Sequence, residues 1–276
     1  MDKPSTAPFL AESIQIRVLQ CRHLRIPEKW VRHRSEAQYW KLYLNLEEGC
    51  GLWAGERYFD LLPDQLFVLP PLVPQRGACR KAVSHCFVHF DFFGLPLDSV
   101  QKAFPNAFFL SANARQRREF IEVTKTLPAT SSLRASLKLQ RLMLEIAEQL
   151  LDSLSPDQLK TLTVHQSDFD RLIPALERIH QHPAESLSNT ALAALCHMSV
   201  NHFIRNFKAS MRQTPVEYIN HRRIHQAVNS LLYTDDTIDR IAEACGFQNR
   251  YYFSRVFVRH TGLPPATFRR ERKACG

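Results

Sequence analysis

The sequence predicts an α+β chain with an N-terminal β-barrel carrying helices, then an all-helical C-terminal domain of two helix–turn–helix units. Three observations predict it. Between Tyr39 and Phe93, aromatic and β-branched residues come in short runs separated by Gly and Pro. From Ser132 onward the apolar residues take up helical spacing. The C-terminal part repeats itself with a period of 49–50 residues.

The strand-like part comes first. Tyr39 to Leu46 and Val83 to Phe90 read as strands, and Gly49, Gly51, Gly55, Pro63, Pro70, Pro71, Pro74 and Gly77 punctuate the stretch between them. Short strands at such spacing suggest a sandwich or small barrel, assigned to residues 1–125. The aromatic residues Trp30, Tyr39, Trp40, Tyr43, Trp53 and Phe67 offer stacking surface for a small molecule, a sugar being the candidate, and ordinary core is the alternative for each. The candidate ligand-binding residues are Trp30, Trp40, Tyr43, Trp53, His85 and His89. Arg17, Arg22, Arg25, Arg32 and Arg34 offer an anion site, with solvated surface as the plainer reading. His85 and His89 share a strand face but stand ~13 Å apart, too far to hold one metal ion. No metal, cofactor or catalytic residue is expected, because no phosphate loop or nucleophile elbow is present either.

Residues 126–170 read as a helical dimerisation segment and linker. In the helix predicted over Ser132–Leu154, Leu133, Leu137, Leu144, Ala147 and Leu151 form one row, and Leu139, Leu142, Met143, Ile146 and Leu150 a second. An apolar arc that wide needs partners on two sides. The barrel supplies one; a second copy in a homodimer, or further packing within one subunit, supplies the other. Residues 153–169 have the Pro and Ser content and the loss of pattern of a linker.

The repeat occupies residues 171–276. Ser188 matches Thr237, Leu192 Ile241, Ala193 Ala242 and Cys196 Cys245; one extra residue then shifts the offset, so that Phe203 matches Phe253, Arg205 Arg255, Phe207 Phe257, Pro215 Pro265 and Tyr218 Phe268. Ser188 and Thr237 are N-cap residues, their hydroxyls accepting an orphan backbone N–H. A short helix follows, then a turn, then a second helix burying two Phe at i and i+4. The Arg between them points elsewhere. That is the helix–turn–helix plan. Ile224, Ala227, Val228 and Leu231 predict a rigid helix connecting the units. On it His221 and His225 stand four apart, a spacing that suits zinc, but Arg222 and Arg223 between them repel a cation, so a solvated or phosphate-facing helix is expected.

Charge agrees with a polyanionic partner. Residues 171–276 hold 15 basic against 8 acidic residues, and residues 1–170 hold 21 against 19. The seven cysteines, at 21, 50, 79, 86, 196, 245 and 275, include no C-x-x-C pair, which argues against a disulfide framework and fits a reducing cytoplasm. No long apolar run suggests a membrane span, and Met1–Leu10 lacks the pattern of a secretion signal.

Ile241 to Phe257, followed by Gly262-Leu263-Pro264-Pro265-Ala266-Thr267-Phe268-Arg269, resembles the DNA-binding domain of the AraC/XylS family of regulators. Pro70-Pro71 and His89-Phe90-Asp91 carry a looser resemblance to that family's cupin-like sensor barrel. The resemblance implies a cytoplasmic, non-enzymatic transcription regulator, an activator working through RNA polymerase, that binds double-stranded DNA under control of a small-molecule effector. It places Asn201, Ile204 and Arg205 of the first unit at base edges, and Arg250, Tyr251, Ser254 and Arg255 of the second. Arg suits guanine, Asn suits adenine, and Ile packs on a thymine methyl. His202, Lys208 and Arg259 are assigned to phosphate. In the first unit His197 and Arg212 stand where the family usually has Gly, so its turn is expected to differ or to be less stable. The alternatives are a cupin-type enzyme with an accessory DNA-binding domain, which needs a metal-ligand cluster in residues 1–125, and a non-specific architectural DNA binder.

Overall fold

The computed structural model describes residues 15–29, 31–127, 132–163 and 169–273. The strands are β1 (Gln15–Ile26), β2 (Val31–Ser35), β3 (Trp40–Asn45), β4 (Cys50–Ala54), β5 (Arg57–Asp60), β6 (Leu66–Leu69), β7 (Gln75–Cys79), β8 (Val83–Phe93) and β9 (Phe108–Leu110). They form two sheets, a five-stranded one in the order β1-β8-β3-β6-β9 and a four-stranded one in the order β2-β7-β4-β5. Every strand pairing is antiparallel. The expected closed barrel is therefore corrected to an open two-sheet sandwich among the described residues, and the cupin likeness gains no support from it. Whether a sheet closes depends on which strands pair across the chain, and local residue patterns carry no record of that.

Helices cover the outer face of the larger sheet: α1 (Leu97–Ala103), α2 (Ala114–Thr126), α3 (Leu133–Asp152) and α4 (Pro156–Thr163). β3 is consequently buried on both faces. Its even residues Trp40, Leu42 and Leu44 pack toward the helices, with Phe120, Val123, Leu142 and Ile146. Its odd residue Tyr43 joins the space between the sheets, with Leu24, Leu52, Phe67 and Phe87. The two-residue alternation of a strand sorts one sequence into two cores.

The predicted helix over 132–154 is α3, capped by the Ser132 side chain, which accepts from the Ala135 N–H at 3.3 Å. One apolar row, Leu139, Leu142, Met143, Ile146 and Leu150, is buried against the sheet. The other, Leu133, Leu137, Leu144 and Leu151, lies exposed. The presumed linker is partly helical, because α4 occupies Pro156–Thr163.

The C-terminal part is helical throughout: α5 (Ile173–Gln181), α6 (Asn189–Leu195), α7 (Val200–Met211), α8 (Pro215–Tyr233), α9 (Ile238–Ala244), α10 (Arg250–Thr261) and α11 (Pro265–Lys273). The 19-residue α8 is the predicted connecting helix, roughly 28 Å long at 1.5 Å per residue. A capping box between Thr214 and Glu217 starts it. The first unit's core, around Phe203, Phe207 and Leu192, also takes in Phe93 and Leu97 from the N-terminal half. The second unit's core, around Phe253, Phe257 and Ile241, takes in none.

The disulfide expectation is corrected. Cys50 and Cys79 face each other in the β4–β7 register, with Cα atoms 4.1 Å apart, and are joined as a disulfide. They lie 29 residues apart in sequence, so only the sheet register brings them together. Cys21, Cys86, Cys196 and Cys245 are free.

Candidate DNA-binding surface and effector cavity

The two units are built alike, residue for residue. Ser188 accepts from the Ala191 N–H at 3.1 Å to start α6, and Thr237 accepts from the Arg240 N–H at 3.2 Å to start α9. Leu192, Ala193 and Cys196, like Ile241, Ala242 and Cys245, are buried. Each turn is closed by the same backbone bond, Met198 N–H to Ala193 O and Phe247 N–H to Ala242 O, both 3.0 Å. The ring pairs Phe203–Phe207 and Phe253–Phe257 both have centroids 5.5 Å apart and an interplanar angle of 59°. Tyr218 and Phe268 each close the base of that pair edge-on.

The expectation of a different first turn is not met. His197 takes φ 51° where Gly246 takes φ 80°, and Arg212 takes φ 56° where Gly262 takes φ 79°. The buried Phe pair and the shared turn bond hold the backbone in place, and the two side chains accept the left-handed conformation. Both are exposed, so neither meets steric resistance.

Burying the Phe pairs turns the opposite side of α7 and α10 outward. Asn201, Arg205 and Lys208 on α7, and Arg250, Tyr251, Arg255 and Arg259 on α10, are exposed; Ile204, His202 and Ser254 are half-buried. Tyr251 is 86% exposed, an unusual placement for a large aromatic side chain. Arg250 pairs with Asp239 at 3.0 Å, and the Arg255 guanidinium lies over the Tyr252 ring at 5.4 Å. Both arginines are pre-positioned on the surface. The Glu217 carboxyl is held below its usual range, first by the Thr214 N–H and hydroxyl, with Arg259 and Lys208 adding to the effect. Lys208 of the first unit and Arg259 of the second thus act on one point at the head of α8.

A cavity of about 370 Å³ lies between the sandwich and the second unit. From the N-terminal half, Gln20, Arg22, Tyr39, Tyr43, His85 and His89 line it; from the C-terminal half, Val228, Leu232, His260, Thr261 and Phe268 do. Its wall includes Cys50 and Cys79 and, among the described residues, no Asp or Glu. Of the candidate ligand residues, Tyr43, His85 and His89 line this cavity. Trp40 does not: strand parity sends it to the helix side, where it is 1% exposed and stacked on Phe90. Trp53 does not either, since its neighbours Leu52 and Ala54 face inward and Trp53 faces out, against Tyr58 and beneath Arg76. Trp30 lies outside the described residues. His85 Nδ1 is hydrogen-bonded to the Asn45 side chain at 2.7 Å, and His89 Nδ1 to the Gln20 side chain at 3.1 Å. No cluster of three His, Cys, Asp or Glu suited to a metal occurs among the described residues.

The joint between the halves was invisible in the sequence, and it corrects the reading of His221 to His225 as a solvated face. Arg222 reaches Asp91 of β8 at 2.7 Å and also donates to His180 Nδ1. His180 Nε2 is 2.6 Å from the Tyr218 hydroxyl. His221 is hydrogen-bonded to Gln38, and Gln20 donates to Asn229 at 3.2 Å. His225 sits edge-on to Tyr39 at 4.4 Å. Arg212 pairs with Asp98 at 3.2 Å. The only trace of this in sequence is the His221/His225 spacing around Arg222 and Arg223.

Comparison with known proteins agrees with this construction. The family described as helix-turn-helix domain matches residues 192–271. The MmsAB operon regulatory protein of Pseudomonas aeruginosa is 35% identical over 111 residues, covering 40% of this chain and 35% of that protein. The bifunctional transcriptional activator/DNA repair enzyme AdaA of Bacillus subtilis is 39% identical over 97 residues, covering 35% and 46%. The transcriptional activator RhaS of Escherichia fergusonii is 33% identical over 104 residues, covering 38% and 37%. The chain therefore spans less than half the length of these curated relatives. The crystal structure of ToxT from Vibrio cholerae shares the fold over 94% of this chain and 97% of that one, with a TM-score of 0.61 at 11% identity. The twin units and the family match mark residues 192–271 as a helix-turn-helix domain resembling those of transcriptional regulators such as RhaS, and the chain as a whole, with its β-rich N-terminal half, shares the fold of ToxT.

Proposed function

We propose that this regulator reads specific DNA sequences with α7 and α10 and is controlled by a small molecule held in the cavity between the sandwich and the second unit. The carrying observation is the duplication itself: two identically built Phe-anchored helices, each presenting an exposed Arg and neighbouring polar groups. Asn201, Ile204, Arg205, Arg250, Tyr251, Ser254 and Arg255 face bases in this reading, and His202, Lys208 and Arg259 face phosphates. Regulators of this kind work in the cytoplasm, where DNA is, and carry no enzymatic activity of their own in the matched domain. Activation through RNA polymerase follows by family resemblance. The exposed leucine row of α3 supports a homodimer.

The lining speaks to the effector. A neutral sugar is usually held by carboxylate acceptors, and none lines the cavity among the described residues. Arg22, three histidines and an apolar wall favour an acid with an apolar body over the sugar first expected. ToxT has been crystallised with an unsaturated fatty acid, but at 10% identity that likeness carries the fold and not the ligand.

Selection of bound sequences from a random DNA pool, with and without sugars and carboxylic acids, tests both parts. A recovered motif with two boxes, whose enrichment changes with an acid, supports the reading. Equal affinity for all duplexes at fixed salt overturns it.

A further inference from the structure

We propose that docking of the DNA-binding domain on the sandwich is proton-linked: with neutral imidazoles at His180, His221, His225 and His260 the halves hold together, and proton uptake by these imidazoles releases them.

All four belong to the C-terminal half, and all four are half-buried at or beside the joint. The chemistry at His180 is the most explicit. Arg222 is always a donor, so the His180 Nδ1 it contacts must be the bare nitrogen. Nε2 then carries the proton toward the Tyr218 hydroxyl. A second proton on Nδ1 would oppose the Arg222 N–H directly. Arg222 is the residue that bridges to Asp91 in the sandwich. Arg17 of β1 lies over Phe93, whose ring packs edge-on against His180, and it adds positive charge beside the same pair.

The other three form a second group. His221 and His260 have ring centroids 4.1 Å apart, so charging one penalises charging the other. His260 Nδ1 donates to the Val256 carbonyl at 2.9 Å, which leaves Nε2 as an acceptor, buried and without a hydrogen-bond partner among the described residues. His225 Nδ1 is likewise buried without one. The charged groups that lower these imidazoles are cations, Arg259 from α10, Arg222 from α8 and Lys41 from β3 of the sandwich, while two carboxylates stand nearby, Glu36 on the wall shared with the three histidines and Asp91 paired with Arg222. Burial and these cations hold the four imidazoles below the ordinary histidine range, His225 at about 3.

The sign follows from linkage. The docked form disfavours the charged imidazole, so docking is fully favoured above the free value of about 6.5 and weakens as pH falls below it. Each histidine that regains its free value on release shifts the docking equilibrium about tenfold by pH 5.5. Up to four such factors multiply.

Small-angle scattering of the full chain from about pH 8 to about pH 3.5, with circular dichroism to confirm that both halves stay folded, reads this directly. The expected result is an increase in radius of gyration starting below about pH 6.5 and steeper than one proton. The variant His180→Gln/His221→Gln/His225→Gln/His260→Gln should abolish it. Should that variant misfold, single His221→Gln and His260→Gln variants must each lower the apparent proton number. An invariant scattering profile, a transition unchanged by these substitutions, or a midpoint near 4, where ordinary carboxyl groups titrate, overturns the proposal. The readout involves no DNA, so its failure leaves the reading of the DNA-binding surface intact.

Discussion

Gly246, in the turn of the second unit, lies directly on the backbone of Ala184: a Cβ placed on Gly246 would come 2.2 Å from the Ala184 carbonyl oxygen. Arg223 of α8 ties down the same stretch, donating to the carbonyls of Pro183 at 2.7 Å and Glu185 at 2.8 Å. The segment before the first unit is thus wedged between the connecting helix and the second turn, which fixes one unit against the other. Gly246→Ala should destabilise the chain by about 3 kcal/mol, combining left-handed strain with overpacking against an unyielding backbone. Gly262 has the same backbone sign but open space around its Cα. Gly262→Ala should therefore cost only about 1 kcal/mol. Urea denaturation of the two variants compares them, and equal losses would remove the close approach as the cause.

His197 holds φ 51° while exposed, so it bears left-handed strain without packing in return. His197→Gly should stabilise the chain by roughly 0.5–1 kcal/mol, the remainder of the strain being offset by the greater freedom of glycine in the unfolded state. Thermal unfolding checks it; a fall in midpoint would show that the imidazole makes a contribution its exposure conceals.

Arg255 and Lys208 are both exposed cations but are assigned different tasks. Arg255→Ala should cost about 1–3 kcal/mol on the selected operator and relax preference at one base position. Lys208→Ala should weaken all duplexes alike and reduce the salt slope by about one. Fluorescence anisotropy titrations at several salt concentrations separate the two, and interchangeable behaviour would argue against base contact by Arg255.

Leu137 and Leu144 are 56% and 63% exposed and stand seven residues apart, with Leu151 a further seven on. That is the seam of a two-helix contact. Leu137→Glu/Leu144→Glu should convert a dimer to a monomer while leaving the buried row of α3 intact. Sedimentation equilibrium reads the mass; an unchanged mass would move the dimer contact elsewhere.

Reduction of Cys50–Cys79 opens a loop closed by 29 residues of chain and should lower stability by about 3.6 kcal/mol. A thermal melt with and without a thiol reductant measures the difference. Because both cysteines line the cavity, ligand affinity measured alongside should change as well.

The C-terminal domain was legible because its signals are local. N-caps, i/i+4 phenylalanines and a duplicated spacing name the helices, their inward faces and, by subtraction, the outward arginines. The β-rich half was less legible. β1 alternates at its two ends, Ile16 and Val18 around Arg17 and Leu24 and Ile26 around Arg25, but Gln20 and Arg22 break the apolar row where the register shifts, so the pattern does not announce one long strand. Aromatic type groups Trp40 and Trp53 with Tyr43, whereas strand parity separates them. The second wall of the cavity comes from residues more than 180 positions away, such as Val228 and His260, and no spacing rule links them to Tyr43.

The two helix-turn-helix units differ in how firmly they are attached. Phe93 and Leu97 are sunk into the oil of the first unit, so parting it from the sandwich would wet large hydrocarbon groups. The second unit meets the sandwich chiefly across amides, imidazoles and an unfilled space, all of which tolerate water. Any parting of the helical part from the sandwich should therefore begin at the second unit, with the first serving as its anchor.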